Sequence, residues 1–95
     1  MSGTLYSTKQ EHIELAATLK QVRRDVPGKF TQQELADRLG LSRETVVAIE
    51  NCHLSAMESL ELATVEKWWK VCKQRGITQR TKERFIGLIS KILHI

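Results

Sequence analysis

Cys52, His53, Cys72 and His94 are the side chains of this sequence best suited to holding a metal ion, because zinc is bound by thiolates and imidazoles. Their spacing is one adjacent Cys-His pair and two single residues far along the chain, and it matches neither a finger nor a knuckle. Covalent catalysis needs a nucleophile, a base within reach and a third group that orients the base. The sequence offers no such constellation, no glycine-rich phosphate loop and no evident carboxylate pair, so neither an enzymatic activity nor a cofactor is expected. What remains is the chemistry of charge and hydrogen bonding at a surface. Lys67, Lys70, Lys73, Arg75, Arg80, Lys82 and Arg84 form a basic run that suits phosphates or an acidic protein partner, although a solvated helical face accounts for it equally well.

The distribution of charge narrows this. The net charge is +4 and the pI about 9.3, but residues 1–58 carry seven Lys or Arg against eight acids, a net −1, while residues 59–95 carry eight against three, a net +5. With 95 residues, 41% hydrophobic, 27% charged and one proline, the composition is that of a single globular domain over 1–95. Two cysteines are too few for a disulfide scaffold and read as free thiols in a reducing compartment. The start of the chain has no apolar signal segment, and no run reaches the roughly 18 apolar residues of a membrane span. A cytoplasmic protein without membrane contact is the expectation.

The elements that must position any site are helical throughout. Leu15, Ala16, Leu19 and Val22 recur at spacings of three and four behind a Thr8/Glu11 capping box, which predicts a first helix over 9–24, ended by Pro27-Gly28. Thr31 and Glu34 form a second capping box, with Phe30 and Leu35 at staple spacing, and predict helix two over 32–39. Gly40 can take the positive φ of a tight helix end, and Ser42 then caps helix three over 43–50, with Leu41 and Val46 as its staple. Ser55 and Glu58 suggest one further capping box and a single long helix to about residue 75, with Leu62, Val65, Trp69 and Cys72 on its apolar stripe. Adjacent Trp68 and Trp69 diverge by about 100° and cannot both face a narrow stripe, so either both are buried under the last helix or one lies at an interface. That last helix follows Thr78 and carries Phe85, Leu88, Ile89, Ile92 and Leu93 on one face.

Two short helices joined through a glycine turn have the lengths of a helix-turn-helix. The stretch QQELADRLGLSRETVVAIEN, residues 32–51, resembles the motif of the lambda-repressor and Cro family. It has a small residue at Ala36, glycine at Gly40, and apolar residues at Leu35, Leu39, Leu41, Val46 and Ile49. The likeness is close over these twenty residues and loose over 15–69. It implies an all-α, compact five-helix lambda-repressor-like domain with the helix-turn-helix formed by helices two and three. The chain departs from the pattern at Lys29 and Phe30, which lengthen the first link, and at residues 52–57, which lengthen the link after helix three.

The resemblance also implies a function, that of a DNA-binding transcriptional regulator and repressor, with double-stranded DNA as its partner. Helix three then enters the major groove and the start of helix two meets phosphate. On that alignment Gln32 and Gln33 are phosphate contacts. Arg43 and Glu44, beside Ser42, are the base readers, because arginine can grip guanine O6 and N7 and glutamate can accept from cytosine N4. Val47 and Ala48 suit a thymine methyl, Thr45 a base or a phosphate, and Val47 could equally pack into the core. Arg23 resembles a helix-one arginine that pairs with an acid at the end of helix three, here Glu50.

Such proteins read near-palindromes as dimers, so a homodimer surface is expected. The C-terminal helix over 78–95, through Phe85, Leu88, Ile89, Ile92 and Leu93, is the candidate, with Ile95 beyond it; packing on the chain's own helices is the alternative. A rival to the plain repressor is an antitoxin-like module that inhibits a partner protein and uses DNA binding for autoregulation. A bacterial, phage or plasmid origin suits either.

Overall fold

The computed structural model describes residues 4–93, the last of them by its backbone alone. His94, Ile95 and the side chain of Leu93 lie outside the described residues. The order is α1 (Gln10–Arg24), α2 (Gln32–Leu39), α3 (Arg43–Glu50), α4 (Leu54–Ser59), α5 (Leu62–Gln74) and α6 (Gln79–Leu93). The fold is all-α, with six helices among the described residues where the periodicity predicts five. None of them is long and apolar enough to cross a membrane.

The extra helix comes from a break in the run expected to be continuous to residue 75. Leu60 (φ −68°, ψ 117°) and Glu61 (φ −88°, ψ 147°) are extended and part α4 from α5. The break lets Leu60 pack against the core beside buried Met57. The start differs as well: α4 opens at Leu54 with His53 as its N-cap, and no side chain caps it. Ser55 is therefore already inside the helix, where its carbonyl accepts from Ser59 Oγ at 2.7 Å.

The Thr8/Glu11 capping box is also corrected. Lys9 is the N-cap of α1 and makes no side-chain cap. Ser7 organises this end instead: its Oγ accepts from the Lys9 N–H at 3.3 Å and lies 2.6 Å from His12 Nδ1. The reason is tertiary. Residues 5–7 run antiparallel to the turn after α3, with Ser7 N–H donating to the Cys52 carbonyl at 2.9 Å and Leu54 N–H to the Leu5 carbonyl at 2.8 Å. That pairing buries Ser7 and leaves Thr8 exposed.

Between these ends the local signals act as read. Thr31 accepts from the Glu34 N–H, and the Glu34 carboxylate accepts from the Thr31 N–H, completing the capping box of α2. Gly40 ends α2 in the left-handed region (φ 71°, ψ 28°), and its N–H returns to the carbonyls of Ala36 and Asp37. A Cβ at Gly40 would meet nothing within 4 Å, so substitution there strains only the backbone. Gly40→Ala is expected to cost about 1–2 kcal/mol and to lower the thermal midpoint by roughly 4–16 °C for a domain of this size, as read by circular dichroism. Gly40→Asn, whose side chain tolerates this conformation, should lose less; equal midpoints for the two variants would overturn the assignment.

The core gathers where α1, α2, α3 and α5 meet. Leu19, Leu35, Ala36, Val46, Trp68 and Cys72 are each fully enclosed. Trp68, not Trp69, supplies the central indole, and its Nε1 donates to the Leu19 carbonyl at 3.1 Å, which satisfies its polar atom on burial. Trp69 is half-buried and stacks on Phe85 of α6, with ring centroids 4.4 Å apart and planes 3° from parallel. Leu62 is not part of the buried stripe but is 47% exposed. Helix α6 lies against α1, tied there by Lys91 Nζ at 3.1 Å from both Glu14 carboxylate oxygens.

Candidate nucleic-acid interface

Ser42 caps α3 by accepting from the Thr45 N–H at 3.1 Å, and its hydroxyl lies 2.8 Å from Thr45 Oγ1. With its entry pinned this way, α3 turns Val46, Ile49 and Glu50 inward, where all three are buried. The opposite stripe holds Arg43 and Glu44, both exposed, then half-buried Val47 and Ala48 one turn later. Neither Arg43 nor Glu44 has a side-chain hydrogen bond or ion pair among the described residues. Four sequence-predicted readers thus share one stripe, and the two hydroxyls of Ser42 and Thr45 face each other at its start.

The inward side of α3 is held by a polar clamp. Glu50 Oε2 accepts from Arg23 Nε at 2.7 Å, and Oε1 accepts from Arg23 Nη2 at 3.0 Å. Glu50 Oε1 also accepts from Gln32 Nε2 at 2.9 Å, while Arg23 Nη1 donates to the Phe30 carbonyl at 2.8 Å. The Arg23–Glu50 pair therefore joins α1, the link 25–31, the start of α2 and the end of α3. The Glu50 side chain is 0% exposed and that of Arg23 13%, so the pair is shielded from water and its two-pronged geometry fixes orientation as well as distance.

At the start of α2 the capping box engages the amides of Thr31 and Glu34, leaving those of Gln32 and Gln33 to an outside acceptor. Gln32 Nε2 is bound to Glu50 but carries a second N–H. Gln33 is exposed, and its Nε2 donates to Asp37 Oδ1 at 2.9 Å along the helix.

Two neighbours of the α3 stripe escape sequence reasoning. A groove between α3 and α4 is lined by Glu44, Thr45, Ala48, Ser55, Ala56 and Ser59, so α4 forms one wall of the candidate surface. Residues 5–7 brace the turn that follows α3, where Tyr6 meets His53 edge to face at 5.2 Å and Cys52 takes a positive φ of 60°. No local pattern signals either feature: the groove depends on where the turn after α3 starts α4, and the brace joins segments more than forty positions apart. The cysteines lie apart from each other in role: Cys72 is enclosed, and burial pushes its thiol up to about 12, while half-buried Cys52 sits in that turn. Among the described residues no group of three or more His, Cys, Asp or Glu is placed to hold a metal ion.

The C-terminal residues proposed for dimerisation divide. Phe85 is 6% exposed and contributes its ring to Trp69 of the same chain. Leu88, Ile89 and Ile92 are half-buried. Ile89 and exposed Leu62 border a shared apolar groove between α5 and α6.

Residues 19–51, thirty-three of the ninety-five, match the family described as Helix-turn-helix. No match was found among curated proteins or among solved structures. The matched span begins inside α1 and ends just past α3, so it contains Arg23, both helices of the motif and Glu50, which are the parts joined by the clamp. Over residues 19–51, about a third of the chain, the protein is thus similar to the helix-turn-helix family, in keeping with the likeness of residues 32–51 to the lambda-repressor and Cro motif.

Proposed function

We propose that the protein is a sequence-specific transcriptional regulator, a repressor, that reads a near-palindromic operator as a homodimer in the cytoplasm of a bacterial, phage or plasmid-bearing host. The observation that carries this reading is the stripe of exposed Arg43 and Glu44 with half-buried Val47 and Ala48, on a helix whose other side is clamped by Glu50. In the major groove Arg43 donates to guanine and Glu44 accepts from cytosine, while Val47 and Ala48 offer methyl contacts to thymine. Ser42 and Thr45, at the rim of the stripe, meet a base edge or the adjoining phosphate.

The start of α2 sets the register on the backbone. Gln32 and Gln33 offer their main-chain amides to a phosphate, aided by the positive end of the helix dipole. The bond from Gln32 to Glu50 also directs the remaining Nε2 hydrogen, so the same glutamine links the core clamp to the DNA. Leu88, Ile89 and Ile92 of α6, with Leu93 beyond them, supply the dimer surface, and Phe85 supports it from within.

Selection of bound duplexes from a random pool by the purified chain tests this reading. The expected product is a symmetric site whose halves are about 10 base pairs apart centre to centre. Enrichment of an asymmetric site would remove the dimer, and no enrichment at all would remove the DNA reading.

A further inference from the structure

The link 25–31 is packed against the turn that joins α5 to α6. Thr81 Oγ1 donates to Asp25 Oδ2 at 2.7 Å, and a Cβ built at Gly76 would stand 4.0 Å from Pro27 Cγ. Arg75, the C-cap of α5, places its Cζ 4.9 Å from the centroid of the Phe30 ring. Two guanidinium groups therefore meet Phe30: Arg23 through the carbonyl and Arg75 over the ring. Their charge balance differs. Glu50 neutralises Arg23 with two hydrogen bonds, whereas Arg75 is exposed and has no carboxylate partner among the described residues.

Phe30 directly precedes Thr31, the N-cap of α2. The unbalanced guanidinium is thus mounted beside the end of α2 that the proposed reading sets on the DNA backbone, with exposed Lys29 next to it. We propose that Arg75, seated on Phe30, is a DNA-phosphate contact supplied from outside the helix-turn-helix, which extends the backbone footprint of α2 to the end of α5. This inference rests on the DNA-binding reading above. Contact with the ring restrains the guanidinium, so less rotamer freedom is lost when it meets a phosphate. Four others of the basic run are placed differently: Lys70 and Lys73 border the apolar groove beside Trp69, and Arg80 and Arg84 border a polar pocket with Gln21 and Asp25.

The test is a titration of a fluorescent mixed-sequence duplex with the full chain over a range of salt concentrations, at a temperature where circular dichroism shows each variant folded. Arg75→Gln is expected to reduce the slope of log affinity against log salt by about 0.9, with binding weaker by roughly three- to tenfold. Arg75→Lys keeps the charge and should keep the slope. Lys70→Gln removes the same charge elsewhere on α5 and should move the slope much less. Equal slopes for Arg75→Gln and Lys70→Gln, with specificity still dependent on Arg43, would overturn this inference alone. A wild-type chain without affinity for any duplex would overturn the DNA reading and this contact together.

Discussion

Arg43→Ala is expected to weaken binding to the selected operator by about 5- to 150-fold, the equivalent of the roughly 1–3 kcal/mol that a two-bond arginine contact to guanine contributes to discrimination. Affinity for a mixed-sequence duplex should fall much less, because only one charge is lost there. The two titrations together separate base reading from phosphate attraction. Stability should barely respond: Arg43 is exposed and has no side-chain partner among the described residues, and such surface changes stay within about 0.5 kcal/mol. Its position points the same way. A cation in the first turn opposes the helix dipole, where folding alone would favour an acid. An arginine at that place earns no stability from α3, so alanine there is neutral or mildly stabilising. An operator preference unchanged in Arg43→Ala would remove it from the readers.

The clamp should show the largest effect on stability. Glu50→Ala leaves the Arg23 guanidinium shielded and without its carboxylate, and takes from Gln32 its acceptor. Removing one partner of such a pair costs about 3–5 kcal/mol, which for a domain of this size lowers the thermal midpoint by roughly 12–40 °C. Replacing both partners, Arg23→Met with Glu50→Leu, should cost less than Glu50→Ala alone, since no shielded charge is left uncompensated. Calorimetry or circular dichroism melts of the two proteins decide the matter. A double variant as unstable as the single would show that Glu50 acts through packing and not through charge. Because Gln32 and the end of α3 meet at the same carboxylate, Glu50→Ala should also loosen the angle at which α3 is presented, so DNA affinity falls even where the chain remains folded.

The helix-turn-helix is the part most legible from residues alone. Thr31 with Glu34, Gly40 and Ser42 are local signals: each acts on backbone groups within a few positions, so their types and spacing suffice. Reading fails where two placements share one periodicity. Val65, Trp68 and Cys72 are as helical in spacing as Val65, Trp69 and Cys72, and the choice lies with the Leu19 carbonyl, which takes the Trp68 N–H, and with Phe85, which stacks on Trp69. Ser55 and Glu58 have the form of a capping box, yet the turn at His53 starts α4 two residues earlier and Leu60 ends it. Thr8 and Glu11 mislead in the same way, because residues 5–7 pair with the turn after α3 and hand the polar role to Ser7.

Residue order alone thus determined the all-α class, the bounds of α2 and α3, and the side chains offered on the α3 stripe, since these follow from contacts within one or two helical turns. Packing between distant segments decided that Glu50 would bind Arg23 and Gln32 together, that α6 would lie on α1, and that Arg75 would sit on Phe30. Those contacts span from 18 to 77 positions of the chain, and no periodicity within an element specifies which of its neighbours it will meet.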